Sequence, residues 1–455
     1  MKTTKRLLQT GALTLSLLAC GVMAAVSPQE AAKLGTSLTP LGAEMAGNAD
    51  GSIPAWTGGL PVNAGAVDAA GFLADPFPDE KPLFIITAQN VEQYKDKLTP
   101  GQYAMFKRYP ETYRMPVFTT HRTATVPERI IAATRNNAVN TRLVQGGNGL
   151  ENFDQANPFP IPKDGLEAIW NHITRYRGGS VRRNVVQVTP QANGSYSPVS
   201  LQEEFAFRGS LKDADTSKPS NVLFYFKQRV TAPSRLAGNV LLVHETLDQV
   251  KEPRMAWLYN AGQRRVRRAP QVSYDGPGTA ADGLRTSDNL DMYNGAPDRY
   301  DWQLIGKKEI YIPYNSYRLD SPKLKYSDIV KAGHINQDLT RYELHRVWHV
   351  TATLKQGERH IYAKRDFYID EDTWQAAAID HYDGRGTLWR VAEAHAQYYY
   401  DKQVPWYSIE TLYDLLSGRY LALGMKNEEK RAYEFDYPAR ESDYTPAALR
   451  QAGVR

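Results

Sequence analysis

From Val181 onward the apolar residues recur at every second position, and a period of two marks a half-buried β-strand. Such runs cover 181–189, 201–208, 221–232, 238–247, 254–260, 263–269, 302–312, 341–355, 359–369, 373–382 and 387–399. Short turns such as Asn260-Ala261-Gly262 and Asp383-Gly384-Arg385-Gly386 join most of them. Strands joined by tight turns run antiparallel, because a parallel pair needs a crossover of about a dozen residues. This spacing predicts a large antiparallel sheet and argues against a parallel α/β fold. The 28 tyrosines and 8 tryptophans suit strands. They would also suit an aromatic-lined cavity for an apolar ligand.

The first half of the chain reads differently. Ser27-Pro28-Gln29-Glu30 is a helix start with an N-cap, a proline in the first turn and a capping glutamate. Residues 35–87 are dense in Gly, Pro and Asn, which predicts an extended segment lying over a globular body. Helices are expected over 88–98 and over 100–108, the latter opened by Thr99-Pro100-Gly101-Gln102. Leu166, Ile169, Trp170 and Ile173 predict an amphipathic helix ending at Gly178-Gly179. The break at 270–300 is too long for a structureless loop in a compact domain unless it serves a purpose. Beyond the last hairpin the spacing predicts a helix over 408–417, a short strand over 419–424 and a polar tail. The expected division is therefore a leader over 1–24, an N-terminal extended and helical segment over 25–160, an antiparallel half-barrel over 161–400, and a C-terminal helix, strand and tail over 401–455.

The leader follows from charge and size. Lys2, Lys5 and Arg6 precede an apolar stretch from Leu7 to Met23, and Val22-Met23-Ala24 satisfies the small-residue rule for cleavage before Ala25. The expected location is the periplasm. Leu17-Leu18-Ala19-Cys20-Gly21 offers the alternative of a lipoprotein anchored at Cys20. With cleavage after Ala24 the chain keeps no cysteine, which excludes disulfides, thiolate metal sites and a cysteine nucleophile. The formal charge of +5 falls to +2 once the three leader cations leave. No global attraction to nucleic acid follows from that balance.

Motifs for chemistry are sparse. No phosphate-binding loop, dinucleotide fingerprint or Gly-x-Ser-x-Gly elbow is present. His244-Glu245 begins like a zinc-protease helix, but Asp248 stands where the second histidine belongs. His345 and His349 share one strand face, and a metal there would need His360 or His381 as a third ligand. Asp288, Asp291 and Asp298 lack calcium-loop spacing. The expectation is no metal, no cofactor and no catalytic residue. Arg264, Arg265, Arg267 and Arg268 are the densest charge cluster, and cations so close together want anions. Carboxylates on neighbouring strands are the ordinary partners; a ligand headgroup or a partner protein is the functional alternative.

Three pieces together resemble a known family. They are Ala256-Trp257-Leu258-Tyr259 with Gln263-Arg264-Arg265-Val266-Arg267-Arg268, the loop end Asp288-Asn289-Leu290-Asp291-Met292, and the late hairpins with Ile369-Asp370-Glu371-Asp372-Thr373 and Tyr382-Asp383-Gly384-Arg385-Gly386. Their order resembles the LolA/LolB-like superfamily. Asp50-Gly51-Ser52-Ile53-Pro54-Ala55-Trp56-Thr57-Gly58-Gly59 and Trp170-Asn171-His172-Ile173-Thr174-Arg175-Tyr176-Arg177-Gly178-Gly179 resemble, more closely, an uncharacterised bacterial family labelled "outer membrane lipoprotein-sorting protein". The resemblance implies a mainly β fold, an incomplete antiparallel barrel curled around a few helices with an apolar concave face. It implies a carrier of a hydrophobic, lipid-like ligand, working beside an outer-membrane β-barrel protein and an inner-membrane efflux-type transporter. The chain is about twice the length of the lipoprotein carriers, so their cargo does not carry over. Candidate lining residues are Phe224, Phe226, Trp257, Tyr259, Trp348, Tyr362, Trp374 and Trp389, with the phase of the alternation left open. Two alternatives stand beside the carrier: a periplasmic hydrolase of an ester or glycan, and a bridging protein of an envelope transport complex that binds no ligand.

Overall fold

The computed structural model describes residues 26–218 and 220–453. The leader expected over 1–24, and Cys20 within it, lies outside the described residues. Six helices, α1 (Pro28–Ala31), α2 (Pro100–Arg108), α3 (Glu128–Asn140), α4 (Gly165–Thr174), α5 (Tyr326–Ile329) and α6 (Ala448–Gly453), accompany eighteen strands among the described residues. In the N-terminal part these are β1 (Phe84–Ile86), β2 (Met115–Val117), β3 (Arg142–Leu143) and β4 (Leu150–Glu151). Then follow β5 (Ser180–Val188), β6 (Val199–Phe207), β7 (Val222–Ala232), β8 (Val240–Thr246), β9 (Met255–Asn260) and β10 (Arg265–Arg268). The long β11 (Tyr300–Pro313) and β12 (Tyr342–Leu354) precede β13 (Lys364–Asp370), β14 (Ala376–Tyr382), β15 (Leu388–Tyr399), β16 (Val404–Asp414), β17 (Tyr420–Met425) and β18 (Glu434–Phe435).

One sheet of sixteen strands takes all but β3 and β4. Its order is β1-β2-β12-β13-β14-β15-β16-β17-β5-β6-β7-β8-β9-β10, with β11 on the far flank of β12 and β18 beside β5. Each strand pairing is antiparallel except the single contact Tyr342↔Val117 between β12 and β2. No pairing joins β10 to β11 or β1, so the sheet stays open. The register slips at several points, among them Leu304/Gly306, Tyr368/Ile369, His395/Ala396 and Leu423/Met425. Each such bulge bends its strand and increases the local twist. Gly424 shows the need for glycine there: its φ is 105°, and a Cβ would fall 2.7 Å from the Ser408 carbonyl oxygen.

The two faces carry different cores. On the inner face Phe205, Phe207, Phe224, Phe226, Leu241 and Val243 pack with Ile169, Trp170 and Ile173 of α4 and with Met292 and Tyr293 of the 270–299 connection. Asp164 caps α4 by accepting the Glu167 N–H at 2.8 Å. The helix is buried almost all round, as a helix inside a curled sheet must be. On the outer face the N-terminal segment supplies Ile86, Val91, Met105, Phe106 and Met115 against Val391, Ile409, Tyr413 and Ala422. The capping box expected at Thr99 is present, and Asp380 of β14 accepts from Gly101 N–H at 3.0 Å, seating α2 on the sheet. The C-terminal tail covers β6–β9 through Ala439, Tyr444 and Leu449.

Three expectations change. The helix expected over 408–417 is the strand β16, buried at every position. Burial on both faces erases the period of two, and Ile409, Leu412, Tyr413 and Leu416 then imitate helical spacing. Because β16 and β17 stand in the middle of the sheet, between β15 and β5, the barrel does not end at 400. Lastly, α4 stops at Thr174 rather than at Gly178-Gly179, because Arg175 leaves the helix with ψ 151°. That exit turns Arg175 and Arg177 into the interior.

Candidate functional site: a cavity on the inner face

Phe224, Phe226 and Gln228 on β7 share a face with Leu241, Val243 and Glu245 on β8 and with Ala256 and Leu258 on β9, as their register requires. Over this wall lies the connection 270–294, contributing Gln271, Val272, Gly278, Arg285, Leu290 and Asn294. Between them is a cavity of about 370 Å³, within the range of small-molecule sites. A separate, much smaller pocket shares Phe224, Phe226, Leu290 and Asn294 with it and is lined further by Arg177, Val181, Arg183, Glu203, Phe205, Asp291 and Trp406. Phe205 and Phe224 approach to 4.6 Å between ring centres, and the Arg177 guanidinium lies 4.6 Å above Phe205.

Buried charges surround this apolar wall, and nearly all are paired. Asp291 takes a 2.6 Å bond from Arg175 and another from Arg177. The two guanidinium groups hold its carboxyl well below the usual range against the opposing effect of burial. Arg183 meets Glu203 at 2.6 Å, and Arg254 meets Glu245 at 2.7 Å. His172 is held neutral, its pKa lowered to about 3 by burial and by Arg175. Its Nδ1 accepts from Ala376 N–H at 3.0 Å, which leaves Nε2–H to donate to the Asp291 carbonyl at 3.1 Å. Further along, Asp288 joins Arg365 and His360, each at 3.0 Å. The inner face is therefore apolar with embedded ion pairs, not apolar throughout. The 270–300 break is not idle, since it plugs the sheet and forms the cavity roof.

The predicted lining residues separate. Phe224 and Phe226 line the cavity. Trp257 faces the other way, against the C-terminal tail, and stands 4.7 Å from the His244 ring. Tyr259 borders the cavity but packs with Val240, Leu242 and Leu449 on the outer side. Trp348 and Trp374 stack on each other at 6.1 Å, with the Trp374 indole donating to the Leu41 carbonyl at 2.8 Å. Tyr362 and Trp389 meet at 5.7 Å around Arg390. These four do not reach the cavity: they are packing residues of the sheet's other half. Sequence reasoning missed Leu241, Val243, Leu258, Leu290 and Arg285. On β8 both faces are apolar, so alternation gave no phase; in the irregular connection there was no period to read.

Arg264, Arg265, Arg267 and Arg268 are all exposed, at or beside the free edge strand β10. Among the described residues, the carboxylate partners expected on neighbouring strands are not there. The residues opposite Arg265, Arg267 and Arg268 are Asn260, Leu258 and Trp257, and the Arg268 guanidinium lies 5.5 Å from the Trp257 ring. An edge strand has one neighbour only, and charge on it blocks unwanted pairing.

The expected histidine face also separates. His345 bonds Glu343 at 3.0 Å, His349 bonds Asp366 at 3.3 Å, and His360 and His381 turn to Asp288 and Asn289. His345, Asp370 and Asp372 do come together closely enough to hold an ion. Their oxygens already have partners: Arg122 donates to both oxygens of Asp372 at 2.9 and 2.7 Å, while Thr373 and Tyr314 donate to Asp370 at 2.7 and 3.2 Å. This knot ties the N-terminal segment to the sheet.

Comparison with known proteins assigns the family. The profile of "Protein of unknown function (DUF1329)" matches residues 85–450, and the chain belongs to that family. An uncharacterised protein of Pseudomonas aeruginosa is 82% identical over 455 residues, covering 100% of both chains. Among solved structures, a DUF1329 family protein from Desulfovibrio piger aligns with a TM-score of 0.39 at 13% identity, over 60% of this chain and 92% of that one. A LolA superfamily protein from Nitrosomonas europaea aligns with a TM-score of 0.38 at 12% identity, over 62% of this chain and 98% of that one. No helix among the described residues is long and apolar enough to cross a membrane.

Proposed function

We propose that the protein binds a hydrophobic, lipid-like ligand between β7–β9 and the 270–294 connection, and passes it between components of the bacterial envelope without chemical change. The observation that carries this reading is the cavity of about 370 Å³ walled by Phe224, Phe226, Leu241, Val243 and Leu258. Each methylene that enters it contributes ~0.8 kcal/mol, so a ligand burying about eight contributes ~6 kcal/mol before ordering losses. Because the sheet is open, a ligand can leave without the barrel unfolding. The leader over 1–24 supports export to the periplasm. An outer-membrane β-barrel protein and an inner-membrane transporter remain the partners that the family resemblance suggests.

Leu241→Trp tests the proposal, since the larger side chain fills the cavity from a strand whose other contacts it leaves in place. Mass spectrometry of an organic extract from detergent-free protein should find a lipid-like species in the parent chain and little in the variant. Titration with a fluorescent long-chain alcohol should show at least about a tenfold weaker Kd. Equal ligand content in both proteins would place the ligand elsewhere, and no ligand in either, even after added lipid, would end the carrier reading.

A further inference from the structure

Four arginines line the cavity and the small pocket beside it: Arg177 and Arg183 the pocket, Arg254 and Arg285 the cavity. The first three each have a carboxylate, Asp291, Glu203 and Glu245. Arg285 has none. It is 4% exposed, and no carboxylate among the described residues lies within ion-pair distance of it. Its Nε and Nη1 are fully buried without a hydrogen-bond partner. A buried, unpaired cation is costly, and the neighbouring pairs show that this wall elsewhere supplies a counter-charge.

The backbone makes room for this guanidinium. Gly278 N–H donates to the Arg285 carbonyl at 2.9 Å, aligning the two segments of the roof. A Cβ at 278 would stand 2.9 Å from Arg285 Nε, so a side chain there would push the guanidinium aside. The roof segment itself is held from outside the cavity, where Arg390 donates to the carbonyls of Leu284 and Gly283 at 3.1 and 2.9 Å. The acid on which Arg285 acts is Glu410, whose carboxyl it pulls down against the larger opposing effect of burial. Tyr407 donates to it at 3.1 Å, and burial raises its pKa to about 7. Burial outweighs the pull of Arg285 on this carboxyl and leaves it a weak counter-charge near neutrality.

We infer that the ligand is an anionic amphiphile, with a carboxylate or phosphate headgroup held by Arg285 and an apolar chain along Phe224, Phe226, Leu241 and Leu258. This rests on the proposed ligand-binding role and names the class of ligand. An arginine fork is suited to the two oxygens of such a headgroup, and among the described residues Arg285 is the cavity arginine with no carboxylate within ion-pair distance. The exposed Arg264–Arg268 cluster plays no part in holding the headgroup.

The experiment is equilibrium binding of hexadecanoate, hexadecyl phosphate and neutral hexadecanol to the full exported chain, to Arg285→Met and to Arg285→Lys. The parent protein should bind at least one anion about tenfold or more tighter than the alcohol. Arg285→Met should bind the alcohol as before and lose that preference, and Arg285→Lys should recover part of it. Alcohol binding in the same sample shows that the variant's cavity is intact. Whichever anion binds tighter identifies the headgroup as carboxylate or phosphate. Equal affinity for alcohol and anions in the parent, or a preference that survives in Arg285→Met, overturns the role of Arg285 and leaves the apolar cavity reading standing. Failure of all three probes to bind the parent overturns both. Thermal melting supplies an independent check: without ligand, Arg285→Met should melt at or above the parent temperature, whereas a clear drop would mean that Arg285 is structural.

Discussion

Buried acids set how this protein responds to pH. Burial raises Asp380, Glu393 and Glu410 to about 7 each. For Glu393 the remaining influences, bonds from Gln102 at 3.0 Å and Tyr342 at 2.9 Å, only partly offset that. A carboxyl whose folded pKa exceeds its unfolded value of 4.5 contributes stability in full below that value and loses it as pH rises through 7. Asp288 and Asp291, held low by their arginine partners, act in the opposite sense: their contribution is present above the unfolded value and is lost on acidification. These three acids draw the melting temperature down between about pH 5 and pH 8, while the buried neutral histidines His172 and His395, each lowered to about 3 from 6.5, draw it up as pH rises to 6.5. Glu393→Gln should flatten that fall by an amount on the order of 3 kcal/mol. Calorimetry at several pH values reads it directly; an unchanged slope would mean that Glu393 is already ionised in the folded protein.

At the level of elements, β16 carries an unusual share of the structure. It pairs with β15 and β17, and its side chains serve both cores: Ile409 and Tyr413 the outer, Leu412 and Trp406 the inner. Ile409 is 1% exposed, so Ile409→Ala should cost about 2–4 kcal/mol in denaturant unfolding. Because the N-terminal segment packs on the same outer face, limited proteolysis of that segment should quicken in the variant. The same element explains why its sequence misled. A strand buried on both faces has no polar side to mark its period, whereas the half-buried β7, with Lys227 and Arg229 between Phe226 and Val230, was readable.

At the level of the whole molecule, an open sheet has two problems, an exposed edge and an exposed inner face. The inner face is closed by α4 and by the 270–299 connection, which leave the cavity at the β7–β9 end. The edge at β10 carries exposed arginines instead of a covering element. Replacing Arg264, Arg265, Arg267 and Arg268 together by Gln should leave ligand affinity unchanged and increase self-association, seen by light scattering as a concentration-dependent rise in mass. A monomer with weakened ligand binding would instead return the headgroup role to this cluster.

Local chemistry along the chain dictates the antiparallel sheet, most strand positions from 181 to 399, the caps at Ser27 and Thr99, and a connection at 270–300 too long to be idle. Side-chain period and the backbone preferences of turns carry these features, and both are legible residue by residue. Which face of each strand points inward is set by the three-dimensional packing, because alternation fixes parity but not sign. Packing sent Trp257 outward and Phe226 inward, brought Asp291 between Arg175 and Arg177, and left Arg285 without a partner. Pairing of charges distant in the chain depends on how the sheet curls, and that curl comes from bulges and from packing on both faces together.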